Sequence, residues 1–229
     1  MIGIIGAMQV EVALLKKAMQ EPRAEIISGI TFYCGQLAGQ QVLLAQSGVG
    51  KVFAALCAQT MILHYGVSKL IVSGVSGSLT EDLHIGDVVI ATACVQHDMD
   101  TSPVGDPVGM VSGINRIRFE ADVSMVRTME AVCREKGVRY RLGIVATGDQ
   151  FVASRERERS IAQTFGAVTA EMESGAVAQV AFVNRCPYAA IRVISDEADG
   201  QTPDDYPTFV SQSAQKSSEI LLAWLKTLP

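Results

Sequence analysis

Six short runs of apolar residues recur along the chain and predict buried β-strands. Each run is too short to form an independent helix, and continuous apolar runs of this length are typical of strands that are covered on both faces. The runs are Ile2–Ile5, Val42–Ala45, Leu70–Val72, Val88–Ala91, Leu142–Ala146 and Ala189–Ile194.

Five stretches with helical spacing of their apolar residues lie between or after these runs. They are Val10–Met19, Val52–Tyr65, Ser124–Lys136, Gly175–Asn184 and Pro207–Leu228. Strands that alternate with helices predict an α/β fold with a largely parallel or mixed central sheet flanked by helices, in three layers. In such folds ligands bind at the loops beyond the strand ends.

The length and composition narrow the class of protein further. The 229 residues are enough for one large core, so we expect a single domain over residues 1–229. A net charge of -5 argues against nucleic acid as a partner, because nucleic-acid binders need a basic surface. The charged fraction of 19% is low and suggests that some surface is buried between subunits.

Neither the apolar runs nor the cysteines indicate export or a membrane. No run reaches the length of a membrane helix, and the apolar start lacks a basic segment. The five cysteines are odd in number and are never spaced as Cys-x-x-Cys, which suggests neither a disulfide framework nor a zinc site. We therefore expect a cytoplasmic protein without a membrane partner.

Polar side chains follow the first and last strands of the predicted sheet. Glu11 falls in the first turn of a helix after the first strand, where it either complements the helix dipole or faces a ligand. The last strand ends in Ser195 and Asp196. Arg192 interrupts that apolar run and needs a counter-charge, for which Glu173 is a candidate.

Two further segments carry candidate ligand contacts. Glu171 and Glu173 flank Met172 at the front of an apolar helix, and burying two such carboxylates is costly without partners. A site that hydrogen-bonds a diol would explain them. Phe151 follows an apolar strand, where its ring either packs in the core or stacks on a base.

Other familiar motifs are absent. The glycine-rich segment 47–51 does not fit the GxxxxGK[ST] pattern of a nucleoside triphosphate loop. The segment 73–78 does not fit the GxSxG pattern of serine hydrolases. His64, His84 and His97 show no metal-ligand spacing.

Taken in chain order, five motifs resemble the nucleoside phosphorylase and nucleosidase superfamily, and within it the bacterial 5'-methylthioadenosine/S-adenosylhomocysteine nucleosidases. The resemblance spans essentially the whole chain. It implies a nucleoside phosphorylase-like fold, an adenine nucleoside as the small-molecule substrate, no metal or organic cofactor, and a homodimer in which the partner subunit helps to close the tail pocket. The motifs are Ile4 to Met8 with Glu11, Ser47 to Lys51, Gly148-Asp149 with Phe151, Glu171 to Glu173, and Arg192 to Asp196.

The resemblance also implies a role for each matching residue. Glu11 would be the general base that activates water, and Asp196 would protonate N7 of adenine. The substrate-binding residues would be Glu173 and Arg192 at the ribose, Met172 along the sugar, Gly77 in the turn near the sugar, Phe151 and the Val152 backbone at the purine, Ser195 beside Asp196, and Met8, Val49 and Tyr206 around the thioether tail.

Departures from the family pattern include three single positions and the loop from Asp98 to Gly113. Val75 stands where a serine is usual near the sugar and the attacking water, and Tyr206 stands where phenylalanine is usual. Gln9 occupies a position that is commonly acidic. The resemblance therefore leaves the water network and the preferred tail open.

Hydrolysis of an N-glycosidic bond fits these residues on chemical grounds. The reaction passes through an oxocarbenium-like state, which calls for an acid at the leaving group and a base that holds water. The nearest alternative is a phosphate-dependent phosphorylase, which would need arginines on the phosphate, and none occurs between Arg23 and Arg116. A second alternative is a nucleoside-binding module without catalysis, because a fold does not fix a chemistry.

Overall fold

The computed structural model describes residues 1–196 and 206–229, which contain ten strands and six α-helices. The strands are β1 Ile2–Gly6, β2 Gln20–Ile27, β3 Ile30–Leu37, β4 Gln40–Gln46, β5 Lys69–Ser78, β6 Val88–Gln96, β7 Arg118–Glu120, β8 Tyr140–Thr147, β9 Ala167–Glu171 and β10 Tyr188–Asp196. The helices are α1 Gln9–Ala18, α2 Lys51–Leu63, α3 Val123–Glu135, α4 Arg155–Phe165, α5 Ser174–Asn184 and α6 Tyr206–Lys226. All six predicted strands and all five predicted helices are confirmed.

The sheet is mixed, as predicted, and part of it closes into a ring. Strand β1 pairs in parallel with β4 and β5, and β5 pairs in parallel with β10. From β10 the pairing continues through β6, β8 and β9 and returns to β5. The last pairing is antiparallel at Gly77 and Ala170, so the carboxyl end of β5 meets the carboxyl end of β9.

Helices cover the sheet in two groups, which explains why the central strands are continuously apolar. Helices α1 and α3 pack on α6, which also contacts β5 and β10, while α2 packs on α5. Trp224 of α6 is fully buried, and its indole N–H donates to the hydroxyl of Thr128 in α3 at 2.8 Å. Within the described residues, no helix has the length and apolar character needed to cross a membrane.

The elements that the sequence did not predict lack a continuous apolar run. Strand β2 is almost entirely exposed and is held by antiparallel pairing with β3. Helix α4 begins Arg-Glu-Arg-Glu-Arg and buries only Ile161 and Phe165. Strand β9 ends in Glu171 after a threonine. Such segments depend on long-range pairing and packing, which local apolar patterns do not encode.

A β-bulge near the end of β10 changes the direction of the polar side chains with which that strand ends. Ile194 pairs with Ser76 and Asp196 with Gly77, so Ser195 is an extra residue in the ladder. Bulges of this kind re-aim side chains and are common beside active sites. The bulge breaks the alternation of the strand and allows the adjacent Ser195 and Asp196 to line the same cavity.

Candidate active site

A cavity of about 240 Å³ lies at the carboxyl ends of the strands. It collects residues from the ends of β5, β9 and β10 and from the segments that follow β1, β4 and β8. Every residue predicted for the site lines this cavity except Arg192. The lining residues are Ala7, Met8, Glu11, Val49, Val75, Ser76, Gly77, Gln150, Phe151, Val152, Ala170, Glu171, Met172, Glu173, Ser195, Asp196 and Tyr206.

The Glu11 carboxylate is held by backbone N–H groups on both oxygens. Its Oε2 accepts from the N–H of Ala7 at 2.7 Å and of Met8 at 2.9 Å, and its Oε1 accepts from the N–H of Val75 at 2.9 Å. The first two bonds satisfy donors at the start of α1, and the third ties this helix to β5. Glu11 is only 2% exposed, so its position is fixed by backbone at the cavity wall.

Gly74 in β5 leaves the space that Glu11 occupies. A β-carbon on this residue would lie well inside contact distance of Glu11 Oε1 and 2.6 Å from Arg192 Nη1. Neither group can retreat easily, because both are buried and hydrogen-bonded. The absence of a side chain at Gly74 therefore allows the carboxylate and the guanidinium to approach the same strand.

Arg192, predicted for the ribose side, lies behind the cavity wall and does not line the cavity. The guanidinium is 1% exposed and pairs with Glu171. It also donates to the Ser174 hydroxyl at 2.9 Å and to the Val75 carbonyl at 3.3 Å. The counter-charge suggested from sequence, Glu173, is the more distant partner at 3.6 Å.

Glu171 differs from Glu173 in that its oxygens are fully engaged by the protein. It accepts the N–H groups of Glu173 at 3.0 Å and Ser174 at 2.8 Å, the hydroxyl of Thr147, and the Arg192 guanidinium. These bonds cap the start of α5. The two acids of the Glu-Met-Glu segment therefore have different surroundings, and Glu171 has its oxygens occupied by protein donors although it lines the cavity.

Glu173 is the less completely paired of the two acids. Its Oε1 accepts the backbone N–H of Gly50 at 2.8 Å. Burial, followed by the charge of the neighbouring Glu171, raises the pKa of Glu173 to about 7, against the opposing effects of Arg192 and the Gly50 N–H. A carboxyl group that titrates near neutrality and lines a cavity is a candidate for ligand binding.

Asp196, Ser195 and two aromatic rings form another part of the wall. The Ser195 hydroxyl donates to Asp196 Oδ2 at 2.9 Å, which places Ser195 where it can orient the acid. The rings of Phe151 and Tyr206 meet edge to face, with centroids 6.2 Å apart. Phe151 is 55% exposed, so it is not a core residue and its ring is open to a ligand.

Several lining residues were not predicted from the sequence. Val75 and Ser76 lie in the segment that was noted as a departure from the family pattern, and Gln150 immediately precedes Phe151. Ala7 and Ala170 carry no chemical signal that would have marked them. Glu171 was noted as half of a pair, but only the structure identifies its partners.

No lysine or arginine lines the cavity among the residues that the structure describes. In the same two ranges, 1–196 and 206–229, no group of three or more His, Cys, Asp or Glu side chains is arranged to hold a metal ion. The polar side chains among the described residues that line the cavity are therefore carboxylates, hydroxyls and the amide of Gln150.

Comparison with known proteins identifies the family. The model of the phosphorylase superfamily matches residues 1–226. The chain belongs to this superfamily. A superfamily relative from Staphylococcus carnosus, named 5'-methylthioadenosine/S-adenosylhomocysteine nucleosidase, is 33% identical over 229 residues and covers 100% of each chain.

Solved structures of superfamily members agree with the fold. A mutant of the Helicobacter pylori protein abbreviated MTAN, with 5'-methylthioadenosine in its active site, superposes with a TM-score of 0.95 at 34% identity, covering 99% of this chain and 98% of the other. The native futalosine hydrolase of Helicobacter pylori gives a TM-score of 0.95 at 35% identity, covering 99% and 97%. These superfamily matches confirm the nucleoside phosphorylase-like fold.

The close approach at Gly74 predicts that a single methyl group will displace Glu11. We expect Gly74→Ala to lower turnover of the substrate by about 100-fold, the usual order for losing general base catalysis. The measurement is steady-state turnover together with thermal unfolding.

Gly3→Ala provides the matched control. A β-carbon at Gly3 would also be crowded, at 2.8 Å from Met61 Sδ and 2.9 Å from Leu70 Cδ2, but it would touch only apolar side chains. Both variants should lose stability, and only Gly74→Ala should lose turnover. Equal turnover in the two variants would contradict the assignment of Gly74.

Proposed function

We propose that this protein is a hydrolase that cleaves the N-glycosidic bond of 5'-methylthioadenosine and S-adenosylhomocysteine, releasing adenine and the thioribose product. One observation carries the proposal. The carboxylate of Glu11, fixed by three backbone N–H groups, shares a small cavity with Asp196, and no described cationic side chain lines that cavity. Relatives named for this activity support the substrate class.

Glu11 acts as the general base. Both of its oxygens are anchored by short bonds, which hold the carboxylate at the cavity wall. A base with a fixed position can take a proton from water as the water attacks the anomeric carbon, without a cost for reorganisation. Val75 has no polar side chain, and Glu11 Oε1 already takes its backbone N–H, so Val75 adds no further donor for the water.

Asp196 acts as the general acid toward N7 of the purine. The departing adenine leaves more readily when N7 is protonated, because the glycosidic bond then no longer breaks to an anion. The Ser195 hydroxyl donates to Asp196 Oδ2, so the proton for transfer resides on the other oxygen when Asp196 is protonated.

The remaining lining residues hold the sugar, the base and the tail. Glu173 accepts hydrogen bonds from the ribose hydroxyls, and Met172 lies along the sugar. Phe151 stacks on the purine, whose edge is read by the Val152 backbone, and Met8, Val49 and Tyr206 surround the sulfur. The carboxylates also favour the positive charge that develops on the sugar ring in the transition state.

Phosphorolysis is the weaker candidate for this site. An enzyme that uses phosphate needs cationic donors, and Arg192, which lies behind the cavity wall, is already engaged by Glu171 and Ser174. Anchored Glu11 would also repel a phosphate anion. A site for water and a neutral sugar fits these charges better.

The direct test is release of adenine from 5'-methylthioadenosine and from S-adenosylhomocysteine by the purified protein, in buffer without phosphate and again with phosphate. We expect adenine and the free thioribose in both buffers at equal rates. Strict dependence on phosphate would move the assignment to a phosphorylase, whereas binding without release of adenine would indicate a binding module.

The two carboxyl groups should be separable by substitution. We expect Glu11→Gln to remove water activation and Asp196→Asn to remove protonation of the leaving group, each lowering turnover by about 100-fold or more while the protein stays folded. Circular dichroism and turnover on the same samples check this. Turnover at the wild-type level in either variant would reject the role given to that residue.

The raised pKa of Glu173 predicts how nucleoside affinity changes with pH. The carboxyl group is ionised above its pKa of about 7 and accepts the ribose hydroxyls, whereas its protonated form loses the charge and an acceptor position. Affinity should therefore fall as the pH drops through about 7, by at most about tenfold per pH unit.

Calorimetric titration with a 5'-methylthio C-nucleoside, which binds without being cleaved, measures this profile. Glu173→Gln is the control, because a neutral amide should bind weakly and without that pH dependence. A wild-type affinity that is flat between pH 5.5 and 8.5 would contradict the role of Glu173.

We also propose a cytoplasmic homodimer. An exposed apolar stripe on α2 and the turn before it supports the dimer, with Val49, Val52, Phe53 and Leu56 at helical spacing and each at least 46% exposed. Contiguous exposed apolar surface of this kind is typical of interfaces. Because Val49 also lines the cavity, a partner on this stripe would help to close the tail pocket.

The cysteines support the cytoplasmic location. All five are free thiols, and thiols persist in a reducing compartment such as the cytoplasm.

The dimer proposal predicts a specific disruption. We expect a solution mass of twice the 24.5 kDa chain for the wild type, and a monomer for Val52→Asp, because a buried unpaired charge is costly. Val123→Asp, which replaces a similarly exposed valine on α3, should remain dimeric. Light scattering measures all three, and a monomeric wild type would refute the proposal.

A further inference from the structure

The segments that follow β4, β6 and β8 meet at the carboxylate of Asp149, which lies beside the cavity but does not line it. Asp149 follows β8, and its Oδ1 accepts the backbone N–H of Lys51 at 2.8 Å. Lys51 is the first residue of α2, and the preceding Gly50 has no side chain with which to cap the helix. Asp149 therefore supplies, from a different loop, the acceptor that the start of this helix needs.

Asp149 is in turn held by Asp98, which follows β6. Asp98 Oδ2 accepts the backbone N–H of Asp149 at 2.9 Å, and Asp98 Oδ1 pairs with Lys51 Nζ at 2.7 Å. The side chains of Lys51 and Asp98 are only 18% and 17% exposed. Although burial opposes it, the pKa of Asp98 lies below its ordinary value because of the Lys51 ammonium and the Asp149 N–H. The three side chains thus form a closed polar cluster.

This cluster adjoins the sugar side of the cavity through Gly50. The Gly50 N–H donates to Glu173 Oε1, one residue away from the N–H that Asp149 holds. Gly50 has a φ of 100°, and a β-carbon on it would lie 3.0 Å from Asp149 Oδ1. The direction of the Gly50 N–H is therefore set by a turn that packs directly on the Asp149 carboxylate.

The same cluster adjoins the base side of the cavity through the chain itself. Gln150, Phe151 and Val152 follow Asp149 and all line the cavity. Asp98 fixes the backbone at the start of this segment. Asp149 thus connects Glu173, which is proposed to bind the ribose, with the segment that carries Phe151, which is proposed to stack on the purine.

We propose that Asp149, held by Asp98 and Lys51, is a positioning residue that orients Glu173 through the Gly50 N–H and fixes the segment that carries Phe151. Asp149 touches neither the cavity nor the reacting atoms, so it acts through these neighbours. The proposal rests on the nucleosidase function proposed above for its kinetic consequence, whereas its geometric consequence does not depend on turnover.

The kinetic test compares Asp149→Ala with Asp149→Asn. The alanine variant removes the acceptor for Lys51, and we expect KM to rise by about tenfold, the effect of losing one hydrogen bond to a charged group, while kcat changes less. The asparagine variant keeps an acceptor oxygen and should restore most of the affinity.

Asp106→Ala is the matched control for these variants. Asp106 is likewise a loop aspartate whose side chain accepts hydrogen bonds, here from the hydroxyls of Thr101 and Ser112, but it does not line the cavity. We expect wild-type KM in this variant. A tenfold rise in KM in Asp106→Ala, or an unchanged KM in Asp149→Ala, would overturn the proposal.

A second readout follows Glu173 directly and needs no substrate. The Gly50 N–H lowers the pKa of Glu173, which is otherwise governed by burial and by the surrounding charges of Glu171, Arg192 and Glu11. If Asp149→Ala misdirects that N–H, the carbon-detected NMR titration of the Glu173 carboxyl should shift to higher pH. Glu173→Gln assigns the signal.

The outcomes of the NMR titration separate the possible explanations. A shift in Asp149→Ala that is absent in Asp149→Asn and in Asp106→Ala supports the proposal. A lower melting temperature with no shift would mean that Asp149 is merely structural, and would overturn it. Lys51→Met, which removes only the ammonium that holds Asp98, should shift the titration in the same direction by less. A wild type that releases no adenine would reject the nucleosidase function while leaving this test intact.

Discussion

The buried guanidinium of Arg192 is the interaction on which the rest of the site depends. It lies behind the cavity wall, pairs with Glu171, faces Glu173 at 3.6 Å and shares the space above Gly74 with Glu11. Burying any of these carboxylates alone would cost several kcal/mol. The Arg192 guanidinium offsets the cost of burying these carboxylates. Through its bonds to Val75, Glu171 and Ser174 it also joins β10 to β5, β9 and α5.

The charge balance around Arg192 accounts for the chemistry that the cavity favours. Three carboxylates, all of which line the cavity, surround a single guanidinium, so negative charge is in excess there. That excess raises the pKa of Glu173, after burial as the main cause, and disfavours a bound anion such as phosphate. It also favours a sugar that becomes positive as the glycosidic bond breaks. Hydrolysis of a nucleoside is consistent with both effects.

The sequence predicted those elements that a continuous apolar run or a helical spacing of apolar residues marks. Strands β1, β4 and β10 are apolar because both of their faces are covered, and Glu11, which follows β1, and Asp196, which ends β10, both line the cavity. The bulge at Ser195 and the partnership of Arg192 with Glu171 could not be read in this way, because both depend on the pairing of strands distant in sequence. The exposed strand β2 was missed for the same reason.

The proposed chemistry and the proposed recognition differ in how firmly their residues are held. Glu11 is buried and bonded to the backbone of two elements, whereas Val49 and Phe151, which would meet the tail and the base, are half exposed. A rigid base tolerates no displacement, because general base catalysis depends on its position to within a fraction of an ångström. The exposed residues can adapt to different 5' substituents without moving it. Such a separation would let one fold accept different 5' substituents, and superfamily structures with a TM-score of 0.95 are named for methylthioadenosine and for futalosine.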